Sequence, residues 1–165
     1  AGTALLLEHL PEPVSHRRVV DLGCGTGVVG TAIALRDPGA EVILVDDSAR
    51  AVASASATFA AACPDRPFRA TAGDALEDLA DGPLGPVDLV VVNPPFHRGH
   101  SQGDATAWRM FAQARHGLAP GGELLVVGNR HLAHHAKLRR LFGSDRVTVV
   151  ASDPAYVVLR ATAPG

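Results

Sequence analysis

The sequence predicts an α/β fold, built on a mostly parallel sheet of about seven strands that ends in an antiparallel hairpin. Short apolar runs alternate with longer helical segments along the 165 residues. This alternation is typical of βαβ units with right-handed crossovers. The last two apolar runs are separated only by residues 152–155. That connection is too short for a crossover, so these two strands should be antiparallel neighbours.

The first half of the chain contains the strands expected to form the parallel part of the sheet. They are predicted at residues 19–22, 41–45, 68–72 and 87–92. The last of these is almost continuously apolar, as expected for a buried central strand. A helix is predicted at residues 28–36, before Pro38 and Gly39, and Ser48 can cap an alanine-rich helix that continues to about Ala62. Asp74 should begin a further short helix.

The second half of the chain predicts two helices and three strands. The helices are expected at residues 104–118 and 133–142, and Gly143 follows the second. The glycine pair Gly121-Gly122 after Pro120 should separate the first helix from a strand at residues 123–128. The strands of the final hairpin are predicted at residues 147–150 and 156–162.

Length and composition favour a single domain spanning residues 1–165. Cys24 and Cys63 offer neither a disulfide framework nor a metal-binding spacing, which indicates a reducing, cytoplasmic setting.

The apolar run at residues 5–7 is too short for a membrane span and follows no basic segment, so neither a signal peptide nor a membrane helix is expected. The chain begins inside a predicted helix, as a fragment of a longer protein would.

The charges are distributed unevenly along the chain. Residues 1–96 hold six Lys and Arg against thirteen Asp and Glu, whereas residues 97–146 hold eight against three, with six of the eight histidines. A basic half beside an acidic half favours a polyanion, such as a nucleic acid, as the partner of one face. A solvated charge imbalance is the alternative.

The glycine-rich segment DLGCGTG, residues 21–27, lies between a predicted strand and a predicted helix. Glycines there allow a sharp turn and a close approach to a ligand, and Asp46 at the end of the next strand can accept the ribose hydroxyls of an adenosine. The spacing Gly25-x-Gly27-x-x-Gly30 also fits a dinucleotide site or a structural turn. Asp21 favours S-adenosylmethionine, because its carboxylate would repel a pyrophosphate but suits a cationic amino group and a sulfonium.

A second motif, Gly73-Asp74-Ala75, follows the third predicted strand. The Asp74 side chain could accept a hydrogen bond from an adenine amino group, and it could equally be a helix N-cap.

The most specific motif is Asn93-Pro94-Pro95-Phe96, at the end of the buried fourth strand. In an open α/β sheet, ligands bind outside the carboxyl ends of the strands, so Asn93 should meet the first two motifs. The prolines hold the backbone extended and lack N–H groups, which leaves the Asn93 amide oxygen and the Pro94 carbonyl as two directed acceptors. An exocyclic amine has two matching N–H donors, and Phe96 could stack on its base. The alternative is a plain turn with a core phenylalanine.

Together, the glycine-rich segment and the Asn-Pro-Pro-Phe motif resemble class I S-adenosylmethionine-dependent methyltransferases, which have a Rossmann-like seven-stranded fold. The following stretch, with His97, Trp108, Met110-Phe111 and Gly128-Asn129-Arg130-His131-Leu132, resembles the catalytic domain of bacterial ribosomal RNA guanine-N2 methyltransferases. These comprise a C-type enzyme, which modifies small-subunit RNA, and a G-type enzyme, which modifies large-subunit RNA, and the G type is the nearer. The resemblance implies methylation of guanine N2 in ribosomal RNA. Those enzymes usually have an additional N-terminal half, which this chain lacks.

The resemblance also implies roles for individual residues. The cofactor-binding residues would be Asp21, Gly23, Cys24, Gly25, Gly27, Asp46, Asp47, Asp74, Ala75 and Asn93. The catalytic residues would be Asn93, Pro94, Pro95 and Phe96, and the substrate-binding residues would be Phe96, His97 and Arg98. Cys24 would only pack in the loop, because transfer from a sulfonium needs no covalent intermediate.

Other functions remain open from the sequence. The same fold could methylate a DNA adenine or a protein glutamine amide, could bind cofactor or RNA without turnover, or could be a nicotinamide oxidoreductase. No metal is expected, because no glutamate accompanies His131 and His135 as in zinc hydrolases.

Overall fold

The structure, a computed structural model, describes residues 2–13, 17–73, 85–94 and 100–165. Its sheet contains seven strands in the order β3-β2-β1-β4-β5-β7-β6. Their bounds are Arg18–Leu22 (β1), Glu41–Asp46 (β2), Arg69–Ala72 (β3), Val87–Val92 (β4), Leu118–Asn129 (β5), Val147–Ser152 (β6) and Tyr156–Thr162 (β7). Strands β1 to β5 pair in parallel, and β7 pairs antiparallel with both β5 and β6. The predicted Rossmann-like α/β fold with its antiparallel end is therefore confirmed.

The helices of the described residues pack on both faces of this sheet. They are Gly2–Glu8 (α1), Val28–Arg36 (α2), Ala49–Ala62 (α3), His100–Gly117 (α4) and His134–Phe142 (α5). Leu6, Ile33 and Phe59 of α1, α2 and α3 belong to the apolar core on one face. Phe111 of α4 and Leu138 of α5 belong to the core on the other face. None of the described helices is long and apolar enough to cross a lipid bilayer.

Local sequence signals explain where α3 begins and where α5 ends. The Ser48 hydroxyl accepts a hydrogen bond from the Ala51 N–H and caps α3. Gly143, with φ 101°, follows the last residue of α5. The helix that was predicted to begin at Asp74 lies outside the described residues.

The predicted start of β5 was wrong. The strand begins at Leu118, not at residue 123, and Leu118 pairs with Val87. The register of β4 and β5 shifts between Val87 and Leu89, which pairs with Glu123. This irregularity accommodates Gly121, whose φ is 73°, so the glycine pair bends the strand without ending it.

Candidate active site

The glycine-rich loop joins β1 to α2 at the carboxyl end of the parallel strands. Gly23, Gly25 and Gly27 all have positive φ angles, of 71°, 53° and 79°, which other residues rarely adopt. The N–H groups of Gly23 and Cys24 donate to the Val45 carbonyl at 2.8 and 2.9 Å. The loop is thereby attached to the neighbouring strand β2, and its path is fixed before α2 begins.

Asp21, the fourth residue of β1, carries a buried carboxylate beneath this loop. Its side chain is 3% exposed and accepts a hydrogen bond from the Gly30 N–H at 2.8 Å. Burial raises the pKa of Asp21 from 3.8 to about 7, the bond from Gly30 opposes the rise, and the charge of Asp46 adds to it. A buried carboxylate of this kind is stabilised by a cationic partner.

Asp46 ends β2 and binds the backbone of two loops with its two oxygens. One accepts from the Gly25 N–H at 2.9 Å and the other from the Ser48 N–H at 3.0 Å. Each carboxylate oxygen has a second lone pair, so both can still accept from a ligand. The adjacent Asp47 is exposed.

Asn93 follows β4 and has its two amide atoms in different environments. Its Nδ2 donates to the Thr3 hydroxyl at 3.1 Å. Its Oδ1 is buried and accepts no hydrogen bond within the part of the chain that the structure describes. Pro94 beside it is buried. Asn93 therefore retains an acceptor that is shielded from water.

A cleft of about 520 Å³ brings several of these residues together. Its described lining is Thr3, Asp21, Gly23, Cys24, Gly25, Thr26, Val28, Val29, Asn93 and Pro94. Asp46 and Asp47 lie outside this lining, and Asp46 is connected to it through Gly25. A Cβ built on Gly25 would have no atom within 4 Å, so the loop leaves open space at this point.

The cleft also contains Thr3, a residue that no sequence motif marks. Thr3 lies on α1, which precedes β1 and packs against the sheet. The sequence predicts a helix here whose leucines are too few for a membrane span, but it does not indicate where that helix packs. The apolar pair Leu6 and Leu10, four residues apart and both buried in the structure, is the signal that could have placed this segment against the sheet.

Cys24 has a thiol with little nucleophilic character. Burial raises its pKa to about 12, and the charges of Asp21 and Asp46 add to the rise. The thiol therefore stays protonated at neutral pH.

Several predicted site residues lie outside the described residues, namely Asp74, Ala75, Pro95, Phe96, His97 and Arg98. Within the part that is described, no three histidine, cysteine, aspartate or glutamate side chains are gathered as metal ligands.

A family model described as the methyltransferase small domain matches residues 1–160. The chain belongs to this family. Among curated relatives, this methyltransferase small domain is 55% identical to "Ribosomal RNA large subunit methyltransferase G" of Streptomyces avermitilis, over 97% of the chain and 40% of that protein. It is 53% identical to the protein of the same name from Ectopseudomonas mendocina, over 98% of the chain and 42% of that protein. The chain thus spans about two fifths of the length of these relatives.

A solved structure gives a similar match in three dimensions. The 16S rRNA N2 G1207 methyltransferase (RsmC) of T. thermophilus, in complex with AdoMet and guanosine, superposes with a TM-score of 0.80 and 31% identity. The match covers 98% of this methyltransferase small domain and 43% of that chain.

Proposed function

We propose that this domain transfers a methyl group from S-adenosylmethionine to the exocyclic N2 amine of a guanine in ribosomal RNA. The observation that carries the proposal is the Asn93 amide, whose nitrogen is bound by Thr3 and whose buried oxygen has no donor among the described residues. An amine N–H would satisfy that oxygen. The names of the relatives support ribosomal RNA as the substrate, and the N2 G1207 specificity and the guanosine of the T. thermophilus complex support guanine as the target.

The residues present fit S-adenosylmethionine. The buried carboxylate of Asp21 lines the cleft and can stabilise the cationic methionine end of the ligand. Gly23, Cys24, Gly25 and Gly27 form the loop beside it, and the open space at Gly25 admits a ligand. Asp46 would accept the ribose hydroxyls, with Asp47 next to it, and we assign the adenine to Asp74 and Ala75. When bound, the cofactor supplies an activated methyl group on its sulfonium.

The mechanism that follows is one of positioning. Asn93 Oδ1 and the Pro94 carbonyl would accept the two amine hydrogens, which turns the nitrogen lone pair toward the sulfonium. We assign Pro95 the role of keeping the backbone extended. Phe96 would stack on the base, and His97 and Arg98 would contact the base or a phosphate. The amine nitrogen loses one proton to solvent as it gains the methyl group. The Cys24 thiol, with its pKa of about 12, takes no part.

We propose residues 1–165 as the catalytic domain of a cytoplasmic protein whose partner is ribosomal RNA or a ribosomal subunit. The basic stretch at residues 97–146 supports this partner. Arg139 and Arg140 of α5 are exposed, and the Arg140 guanidinium lies 5.6 Å from the Trp108 ring centre.

A labelled-cofactor assay tests the proposal. Ribosomal RNA, ribosomal subunits, DNA and a glutamine-containing protein are offered separately, and the modified nucleoside is identified by mass spectrometry. We expect N2-methylguanosine from RNA, and Asn93→Ala should lower kcat about 100-fold or more, as for loss of a preorganised polar contact. Label incorporated into DNA or protein would contradict the proposed substrate. Near-normal turnover by Asn93→Ala would contradict the proposed mechanism.

A further inference from the structure

We propose that Thr3 is a positioning residue for Asn93, and that its hydroxyl holds the Asn93 amide at the cleft so that the amide oxygen can meet the substrate amine. The inference deepens the proposed function and rests on it for the identity of the amine. The observation itself is independent of substrate, because Thr3 and Asn93 are joined across 90 residues of sequence by a hydrogen bond of 3.1 Å.

The direction of this bond decides what Asn93 offers. Rotation about χ2 exchanges the amide oxygen and nitrogen of an asparagine at little cost, because the terminal torsion is broad and nearly two-fold. In the observed orientation the hydroxyl accepts from Nδ2, and Oδ1 is left as an acceptor. In the reversed orientation an NH2 group would face the substrate amine, and two donors cannot form a hydrogen bond. Because a hydroxyl can both donate and accept, the bond to Thr3 fixes the position of the amide, and the substrate amine, whose N–H groups only donate, selects the orientation in which Oδ1 faces it.

The packing of α1 keeps the hydroxyl in place. A Cβ added to Gly2 would lie 2.9 Å from a ring carbon of Tyr156 and 3.5 Å from a Val127 methyl, so the helix approaches the sheet closely at the residue before Thr3. Leu6, one turn further on, is fully buried. Thr3 is also β-branched, which restricts its χ1 rotamers. The packing of α1 against the sheet thus holds the Thr3 hydroxyl at the cleft.

The test replaces the hydroxyl without changing the size of the side chain. We expect Thr3→Val to lower kcat about 10-fold, the loss that corresponds to one neutral hydrogen bond. The KM for RNA and the Kd for S-adenosylhomocysteine should change less than about 2-fold, because the Thr3 hydroxyl is bonded to Asn93 and valine keeps the shape of the cleft wall. Thr3→Ser should restore most of the loss. Thr148→Val, the same substitution at an exposed position of β6, is the matched control.

A double mutant separates positioning from general destabilisation. In an Asn93→Ala background, Thr3→Val should have no further effect on kcat, since the group that it positions is gone. A second loss of about 10-fold in that background would overturn the proposal, as would full kcat in the single Thr3→Val variant. If Thr3→Val does not fold, two other variants replace it: Thr3→Ala, and Gly2→Ala, in which the new methyl group presses α1 against Tyr156. Both should lower kcat and leave KM nearly unchanged.

A second measurement needs no substrate. Hydrogen exchange of the Asn93 side-chain amide, assigned in ¹⁵N spectra by its absence in Asn93→Ala, should be slow in the wild type, Thr3→Ser and Thr148→Val. Exchange should be about 10-fold faster in Thr3→Val. If the wild type methylates no RNA but exchange responds in this way, the proposed substrate is wrong and the role of Thr3 stands. Equal exchange rates in all variants would refute the role of Thr3.

Discussion

Replacing Asp21 by asparagine should remove a pH-dependent destabilisation of the folded protein. The Asp21 carboxyl is buried, and its pKa rises from 3.8 to about 7 for that reason first. When the pKa of a carboxyl is higher in the folded protein than in the unfolded chain, its contribution to stability is fully present below the unfolded-state pKa. That contribution is lost as the pH rises toward the folded-state pKa, because the unfolded chain releases the proton first. Moving a pKa from 3.8 to about 7 corresponds to about 4 kcal/mol of unfolding free energy, at 1.36 kcal/mol for each pH unit.

The asparagine variant imitates the protonated carboxyl at every pH, and its Oδ1 can still accept from the Gly30 N–H. Between pH 5 and 8 the wild type should lose about 2.5 kcal/mol more unfolding free energy than Asp21→Asn. Urea unfolding at both pH values measures this difference. Asp65→Asn, at an exposed carboxylate, is the matched control and should keep the wild-type pH dependence.

The same substitution should weaken binding of the proposed cofactor. A cationic ligand favours the ionised carboxylate, so the wild-type affinity for S-adenosylmethionine should rise with pH up to about pH 7 and then level off. Asp21→Asn should bind more weakly above pH 7, with no such rise, and calorimetry at several pH values measures both. An identical pH dependence of stability in the wild type and Asp21→Asn would refute this reasoning.

Three further predictions concern the loop and its ligand. Asp46→Ala should weaken S-adenosylhomocysteine binding about 10-fold or more in calorimetry, because the Gly25 and Ser48 N–H groups lose their acceptor, whereas Asp65→Ala should not. Gly27→Ala should cost about 2 kcal/mol or more in urea unfolding, because φ is 79° and the new Cβ would lie 2.8 Å from the Ala55 Cα; Gly121→Ala, with φ 73° and open space, should cost less. S-adenosylhomocysteine should raise Tm and NAD should not, and a rise with NAD alone would favour the dinucleotide alternative.

Most of the fold could be predicted because its signals are local. Helix α2 and strand β4 occupy the predicted residues 28–36 and 87–92, and Ser48 caps α3 as expected. The start of β5 could not be predicted in the same way. Its residues 118–122 contain turn formers, and they join the strand because Leu118 pairs with Val87, about 30 residues earlier in the chain. Pairing across that separation overrides the local preference.

The candidate site could be predicted only where a motif marks the end of a strand. Asp21, the glycines and Asn93 come together because the carboxyl ends of β1 and β4 are neighbours in a parallel sheet. Nothing in the sequence near Thr3 indicates that its hydroxyl meets Asn93, since that contact depends on how α1 crosses the sheet. The raised pKa of Asp21 likewise follows from burial by the whole fold, not from any adjacent residue.

The last glycine of the dinucleotide-like spacing has a structural explanation here. The Gly30 N–H is bound to Asp21, and a Cβ on Gly30 would clash with Leu44 of β2 and lie 3.2 Å from the Asp21 carboxylate. The close contact of α2 with the sheet and the buried carboxylate therefore favour glycine at position 30, whatever the ligand. A pyrophosphate at this helix N-terminus would lie beside the acidic Asp21, which opposes anion binding, whereas a cationic ligand would relieve the burial of that charge. The same spacing that fits a dinucleotide site thus favours a positively charged cofactor in this chain.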